Sequence, residues 1–329
     1  MSKEIYTEDV FFDSGAWSLF RLHVLKQGKK SEESRLGKHG RLLEEPMVRG
    51  TQGDFSYFAD LSKGSPFRKY CDSYASFVKR FQKQVELFAN IDAIRNPELT
   101  WNTQRFFEEE HGIRLVPIVH VGTDLKWVDR YLEHKYDILG LGGYAARNAR
   151  DDAMRWTDEV FLKLCPESNG YKPIIRVHGF ALTAWEYMTR WPFWSVDSTS
   201  WVKYSAYGWL CLPRWSALKG WRYDRPPLIV NMSWRSPFKA DRHKHMDTVI
   251  GPIRETVMRW LKETGVPLGK ADKKGNVSEP GVVTDHAYRS AANCHYFMQL
   301  QNHLPEWPWP LSETIVHGRG VRYKKGFGL

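Results

Sequence analysis

The chain has 329 residues, 42% of them hydrophobic and 14% aromatic, with 48 Lys and Arg against 38 Asp and Glu. That length buries a large core, and a formal charge of +10 suits a polyanionic partner. The opening Met1-Ser2-Lys3-Glu4 lacks the apolar stretch of a signal peptide, and no run approaches the ~18 apolar residues of a membrane span.

In chain order, Val10-Phe11-Phe12 is a short apolar run that stops at Asp13, with Ser14 and Gly15 after it. The polar, glycine-rich stretch 27–54 reads as a long loop, which in a compact domain is either functional or disordered. Over 70–84 the spacing of Tyr70, Tyr74, Phe77, Val78 and Phe81 predicts a helix with one apolar face. The run 86–92 stops at Asp92, and a helical pattern covers 98–111. The run 115–120 stops at His120, before Gly122 and Thr123, and is followed by a helix over 125–134. The run 138–143 stops at Gly142 and Gly143, before a helix over 151–164. Residues 173–180 carry His178 and Gly179 at their end, ahead of a short helix over 183–189. Phe193-Trp194-Ser195-Val196 delivers Asp197, and 227–232 reads as a seventh run. Helical patterns at 248–264 and 285–304 flank a polar segment, 265–281.

Strand, polar end, helix, repeated, is the signature of parallel βα units. Near-continuous apolar strands fit a sheet covered on both faces. A βα barrel needs roughly 250 residues and gathers its functional groups at the C-terminal strand ends. The competing doubly wound sheet would show a glycine-rich phosphate turn after its first strand, and Asp13-Ser14-Gly15 stands there instead. The expected fold is therefore α/β: a (β/α)8 TIM-like barrel over residues 1–265, with a loop insertion at about 21–65. Residues 266–329 are expected to form a C-terminal helical segment and basic tail packed on it.

An ionised carboxylate beside a core is costly unless paired or solvated, so a strand needs no aspartate at its end for stability. Taken alone, Asp13 and Asp197 each read first as caps of the helix that follows. The repetition of polar groups at the other strand ends favours chemistry, with two acids sharing work as nucleophile and acid/base.

The order and spacing of these strand ends, from about residue 10 to 201, resemble the tRNA-guanine transglycosylase family of βα-barrel enzymes. Asp13-Ser14-Gly15-Ala16 is similar to its first-strand Asp-Ser-Gly-Gly, which carries an acid/base aspartate. Asp92 falls where that family has the aspartate that recognises the purine. His120 stands where a glutamine also binds the base. Gly142 and Gly143 match the base-binding glycine loop, and 177–180, with His178, is similar to its Met-Gly-Val-Gly. Asp197 falls on the family nucleophile. The resemblance thus implies catalysis by Asp197 and Asp13, and base binding by Asp92, His120, Gly142, Gly143, Ser14 and His178. It departs from the family in two places. Cys71, Cys165, Cys211 and Cys294 are scattered, with no Cys-x-x-Cys, so no structural zinc is expected and reduced thiols in a cytoplasm are. The segment after the nucleophile is Ser198-Thr199-Ser200-Trp201 rather than the family's.

The chain looks closest to compact phage-type relatives that insert 7-deazaguanine bases into DNA. That implies exchange of guanine for a free base such as 7-cyano-7-deazaguanine, no cofactor, and a host cytoplasm if phage-encoded. The basic clusters agree with a polynucleotide. Lys29 and Lys30 lie in the long loop, Arg242 and Lys244 in 235–245, and Arg319, Arg322, Lys324 and Lys325 in an acid-free tail. His243 and His245 read as phosphate contacts or plain surface. Trp17, Tyr144 and Trp201 flank the strand ends as candidate stacking rings. RNA in place of DNA, a glycoside hydrolase using the same two acids, and a non-catalytic nucleic-acid binder are the alternatives.

Overall fold

A computed structural model of the chain describes residues 11–12, 60–93, 96–144, 150–237, 244–272, 275–304 and 306. Asp13, Ser14, Lys29, Lys30, Arg242, Arg319, Arg322, Lys324 and Lys325 lie outside the described residues, as do Trp17 and most of 21–65. The chain forms two compact units, Met1–Ala146 with Ile175–His178, and Arg147–Ile174 with Gly179–Leu329.

The described residues make a mixed α/β fold. In the first unit β1 (Phe11–Phe12) pairs in parallel with β2 (Leu87–Phe88). A parallel bridge from Ala89 to Val116 continues the series. Next comes β3 (Ile118–His120), parallel to β4 (Ile138–Gly142) with His120 opposite Gly142. Helices α1 (Pro66–Phe81), α2 (Pro97–His111) and α3 (Lys126–Glu133) fill the crossovers. Strands β3, β4, β5 (Arg176–Gly179) and β6 (Ser195–Val196) form a four-stranded parallel sheet in that order. Spatial order follows sequence order, without the reversal that marks a doubly wound sheet.

The helices start where their caps permit. Ser65 Oγ accepts from the Arg68 amide at 3.0 Å, and Pro66 opens α1. Asn96 Oδ1 accepts from Leu99 at 3.1 Å ahead of Pro97 in α2. Phe67, Cys71, Tyr74 and Val78 recur at helical spacing and bury one face of α1 against Phe88, Ile91 and Phe107.

The second unit contains α4 (Arg150–Leu164), α5 (Trp185–Arg190) and α6 (Ser200–Ala206). The run expected as a seventh parallel strand is corrected here. It forms β10 (Leu228–Asn231), antiparallel to β7 (Trp209–Leu212), with Ile229 opposite Cys211. Parallel pairing needs a crossover of a dozen or more residues, usually a helix. The chain between these strands instead folds into an antiparallel hairpin, β8 (Arg214–Ser216) and β9 (Gly220–Arg222). Helices α7 (Gly251–Thr264) and α8 (His286–Gln301) share one core with these strands, through Trp260, Leu261, Tyr296 and Leu300 against Leu210, Leu212 and Val230. Buried Asn293 ties α8 to β7, accepting from the Cys211 amide at 2.8 Å and donating to the carbonyls of Trp201 and Trp209. The polar segment 265–281 holds a further antiparallel pair, β11 (Lys270–Ala271) and β12 (Val277–Glu279). Among the described residues no helix is long and apolar enough to cross a membrane.

Candidate active site

Four of the sequence-predicted residues, Asp92, His120, Gly142 and Gly143, meet at the strand ends of the first unit. Asp92 follows the bridge at Ala89, in a segment held from several sides. Tyr74 donates to the Ala89 carbonyl at 2.8 Å, Asn90 Nδ2 donates to the Thr100 carbonyl at 3.0 Å, and the Ala93 amide donates to Thr100 Oγ1 at 2.9 Å. Chain freedom at Asp92 is therefore small. His120 ends β3 one strand away, and its Nε2 lies 2.6 Å from Asp92 Oδ2. The two side chains are 9% and 15% exposed. A carboxylate oxygen accepts, so the Nε2–H of His120 is the donor in this bond.

Gly142 supplies the floor. A Cβ there would stand 3.2 Å from His120 Cδ2, so the imidazole lies against bare backbone. Gly143, at φ +85°, follows it at the exposed edge, and the Val121 amide donates to the Gly142 carbonyl at 2.9 Å. Asp92 and His120 thus lie side by side at the strand ends, with the imidazole against the backbone of the glycine pair. His178 is buried near the end of β5.

No protein-family model, curated protein or solved structure matches the chain.

Asp197 belongs to the second unit and follows β6. The N-cap of α6 is Thr199, which makes no side-chain cap bond, and Ser198 Oγ accepts from the Ser200 amide at 2.9 Å. Asp197 Oδ1 accepts from the Ala181 amide at 2.9 Å, while its backbone bonds to Gly179 and Leu182. Ala181 sits at φ +55°, a left-handed conformation that costs a non-glycine residue ~1 kcal/mol or more. The strain aims an amide at the carboxylate and holds an exposed acid in one orientation.

His245 is a correction to a surface reading: it is 2% exposed, with Nε2 3.1 Å from the Ser233 carbonyl and Nδ1 accepting from the Asp247 amide. His243 lies outside the described residues, and the sequence around 245 carries no apolar periodicity that marks a buried turn residue. Lys244 is exposed, Trp201 is exposed on α6, and Tyr144 is half-buried. Among the described residues no group of three His, Cys, Asp or Glu side chains is placed to hold a metal ion. The sequence reading missed Ala181 and Ser198. A serine two residues before Ser200 was the available signal for the second, and nothing in the sequence marks the first.

Proposed function

We propose that this chain is a base-exchange transglycosylase that replaces guanine in DNA with a 7-deazaguanine derivative through a covalent aspartyl–sugar intermediate. The observation that carries the reading is the Asp92–His120 pair seated on Gly142 at neighbouring strand ends. Guanine and its 7-deaza relatives present N1–H and an exocyclic amine on one edge, and a held carboxylate accepts from both. The strand order, rising with the sequence and with helices in the crossovers, supports a (β/α)8 barrel as the complete architecture. The net charge of +10 supports a polynucleotide substrate.

The chemistry assigned by the family resemblance balances with these groups. A carboxylate oxygen of Asp197 attacks C1′ of the target nucleotide, and the C1′–N9 bond breaks with its electron pair leaving on guanine. Asp13 protonates the departing base and then removes the proton from the incoming one, whose nitrogen attacks C1′ and expels Asp197. The logic is that of a retaining glycosidase, with a heterocycle in place of water. The target base first leaves the stack, at a cost of a few kcal/mol. Asp92 and His120 bind the extruded base and return part of that cost through hydrogen bonds.

Asp197→Asn tests the reading. Asparagine keeps an oxygen acceptor for the Ala181 amide, so the variant should fold and still bind DNA. Equal amounts of DNA and tRNA are incubated with labelled 7-deazaguanine, and adducts are resolved on a denaturing gel. Wild type should label DNA and form an adduct, and Asp197→Asn should do neither. An adduct of wild-type intensity in the variant removes Asp197 from the mechanism, and label confined to tRNA overturns the DNA assignment.

A further inference from the structure

Three backbone segments of the second unit meet at Asn231, which is fully buried. Its amide donates to the Lys244 carbonyl at 2.7 Å, and its own carbonyl accepts from Met246 at 2.9 Å. Its side chain donates to the Tyr207 carbonyl at 3.0 Å and accepts from the Ser233 amide at 3.2 Å. The Met232 amide adds a bond to the Gly208 carbonyl at 2.7 Å. Gly208 is at φ +85°, and a Cβ there would lie 2.6 Å from Ser233 Cβ, so the segments close without room for any side chain at 208. Every hydrogen-bonding group of Asn231 is used inside the junction. The junction is scaffolding, and its function lies in what it holds at the surface.

What it holds is one ring and several cations. Tyr207 is 74% exposed and contributes little to the core. Lys203 lies one helical turn earlier on α6, exposed on the same side at i,i+4 spacing. Arg235 is exposed with its guanidinium carbon 4.7 Å above the Trp234 ring, which fixes the plane of the cation. Lys244 is exposed beside the bond from Asn231. No acid occurs in 200–208, 231–236 or 244–246, and the nearest in sequence to Lys244 is Asp247, whose side chain is exposed. Among the described residues neither Lys203 nor Arg235 pairs with a carboxylate.

We propose that this junction is a docking surface for a DNA strand, where Tyr207 stacks on an unpaired base and Lys203, Arg235 and Lys244 take flanking phosphates. The proposal rests on the polynucleotide reading above and adds the place and manner of strand binding. A ring face and spaced cations are the two elements of single-strand recognition, stacking for the base and charge for the backbone. An unpaired base is required because only a base out of its duplex offers a free face to an aromatic side chain.

Binding of the full chain to a labelled single-stranded oligodeoxynucleotide, followed by fluorescence anisotropy over a range of salt, tests it. Tyr207→Ala should weaken binding about tenfold with the salt slope unchanged, and Tyr207→Phe should bind like wild type. The triple variant Lys203→Ala, Arg235→Ala, Lys244→Ala should lower the salt slope by about two. Wild-type affinity in Tyr207→Ala, or an equal loss in Tyr207→Phe, overturns the stacking role. Losses seen with RNA and not with DNA overturn the choice of strand. Base exchange that persists while binding ignores Tyr207 sinks this surface and spares the transglycosylase. Tyr207-dependent binding without any exchange does the reverse.

Discussion

His120 illustrates how one side chain sets the properties of another. Its Nε2–H satisfies an oxygen of Asp92 in a site where little water reaches either group. A buried hydrogen bond to a charged partner contributes ~1.5–3 kcal/mol, more than an exposed ion pair does. His120→Ala should therefore lower stability by ~2 kcal/mol in a urea titration, because Asp92 is left unsatisfied. Asp92→Ala in the His120→Ala background should cost much less than Asp92→Ala alone. A double-mutant cycle that comes out additive would show that the two groups do not depend on each other. The chain pattern placed Asp92, His120 and the glycine pair at strand ends, where the structure also has them. It did not reveal that the acid and the imidazole bond to one another, because strand ends are separated by whole crossovers and their register is not written in either run.

At the level of elements, α4 and α5 are joined by a buried polar clamp. Asp158 accepts from Arg190 Nε at 2.9 Å and Nη2 at 3.0 Å, and from Trp191 Nε1 at 2.9 Å. Asp158→Ala leaves Arg190, itself only 19% exposed, without its carboxylate. Breaking such a pair costs ~3–5 kcal/mol, and the urea midpoint should fall accordingly. A midpoint within error of wild type would show that the clamp adds nothing to folding. Helices were the most legible elements. The runs now seen as α1, α2, α4 and α7 carry apolar residues at i, i+3 and i+4 over several turns, with Pro and Asn or Ser marking the starts of α1 and α2. Strand direction was not legible. Leu228-Ile229-Val230-Asn231 reads the same for a parallel or an antiparallel strand, and the β8–β9 hairpin that decides the matter has an unremarkable Ala217-Leu218-Lys219 turn. The hairpin of β11 and β12 was hidden for another reason: its exposed strands have no apolar alternation to detect.

Across the whole molecule, the four cysteines divide by burial. Cys71, Cys165 and Cys211 are inaccessible, and burial pushes each thiol up to about 12. A raised thiol is neutral at neutral pH, and the thiolate is the reactive form. Cys294 alone is exposed, on α8. A chromogenic disulfide reagent at neutral pH should therefore titrate one thiol per native chain and four after unfolding. Fast reaction of two or more in the native protein would mean that a buried thiol opens readily to solvent. The division of the chain into units has a consequence for its synthesis. Ile175–His178 belongs with Met1–Ala146, yet Arg147–Ile174 of the other unit is translated between them. At ~5–20 residues per second, the ribosome takes several seconds to cross that stretch. During that interval the nascent first unit lacks its last strand, and the edge of β4 that β5 will cover waits open, which makes this the stage at which a chaperone has something to shield.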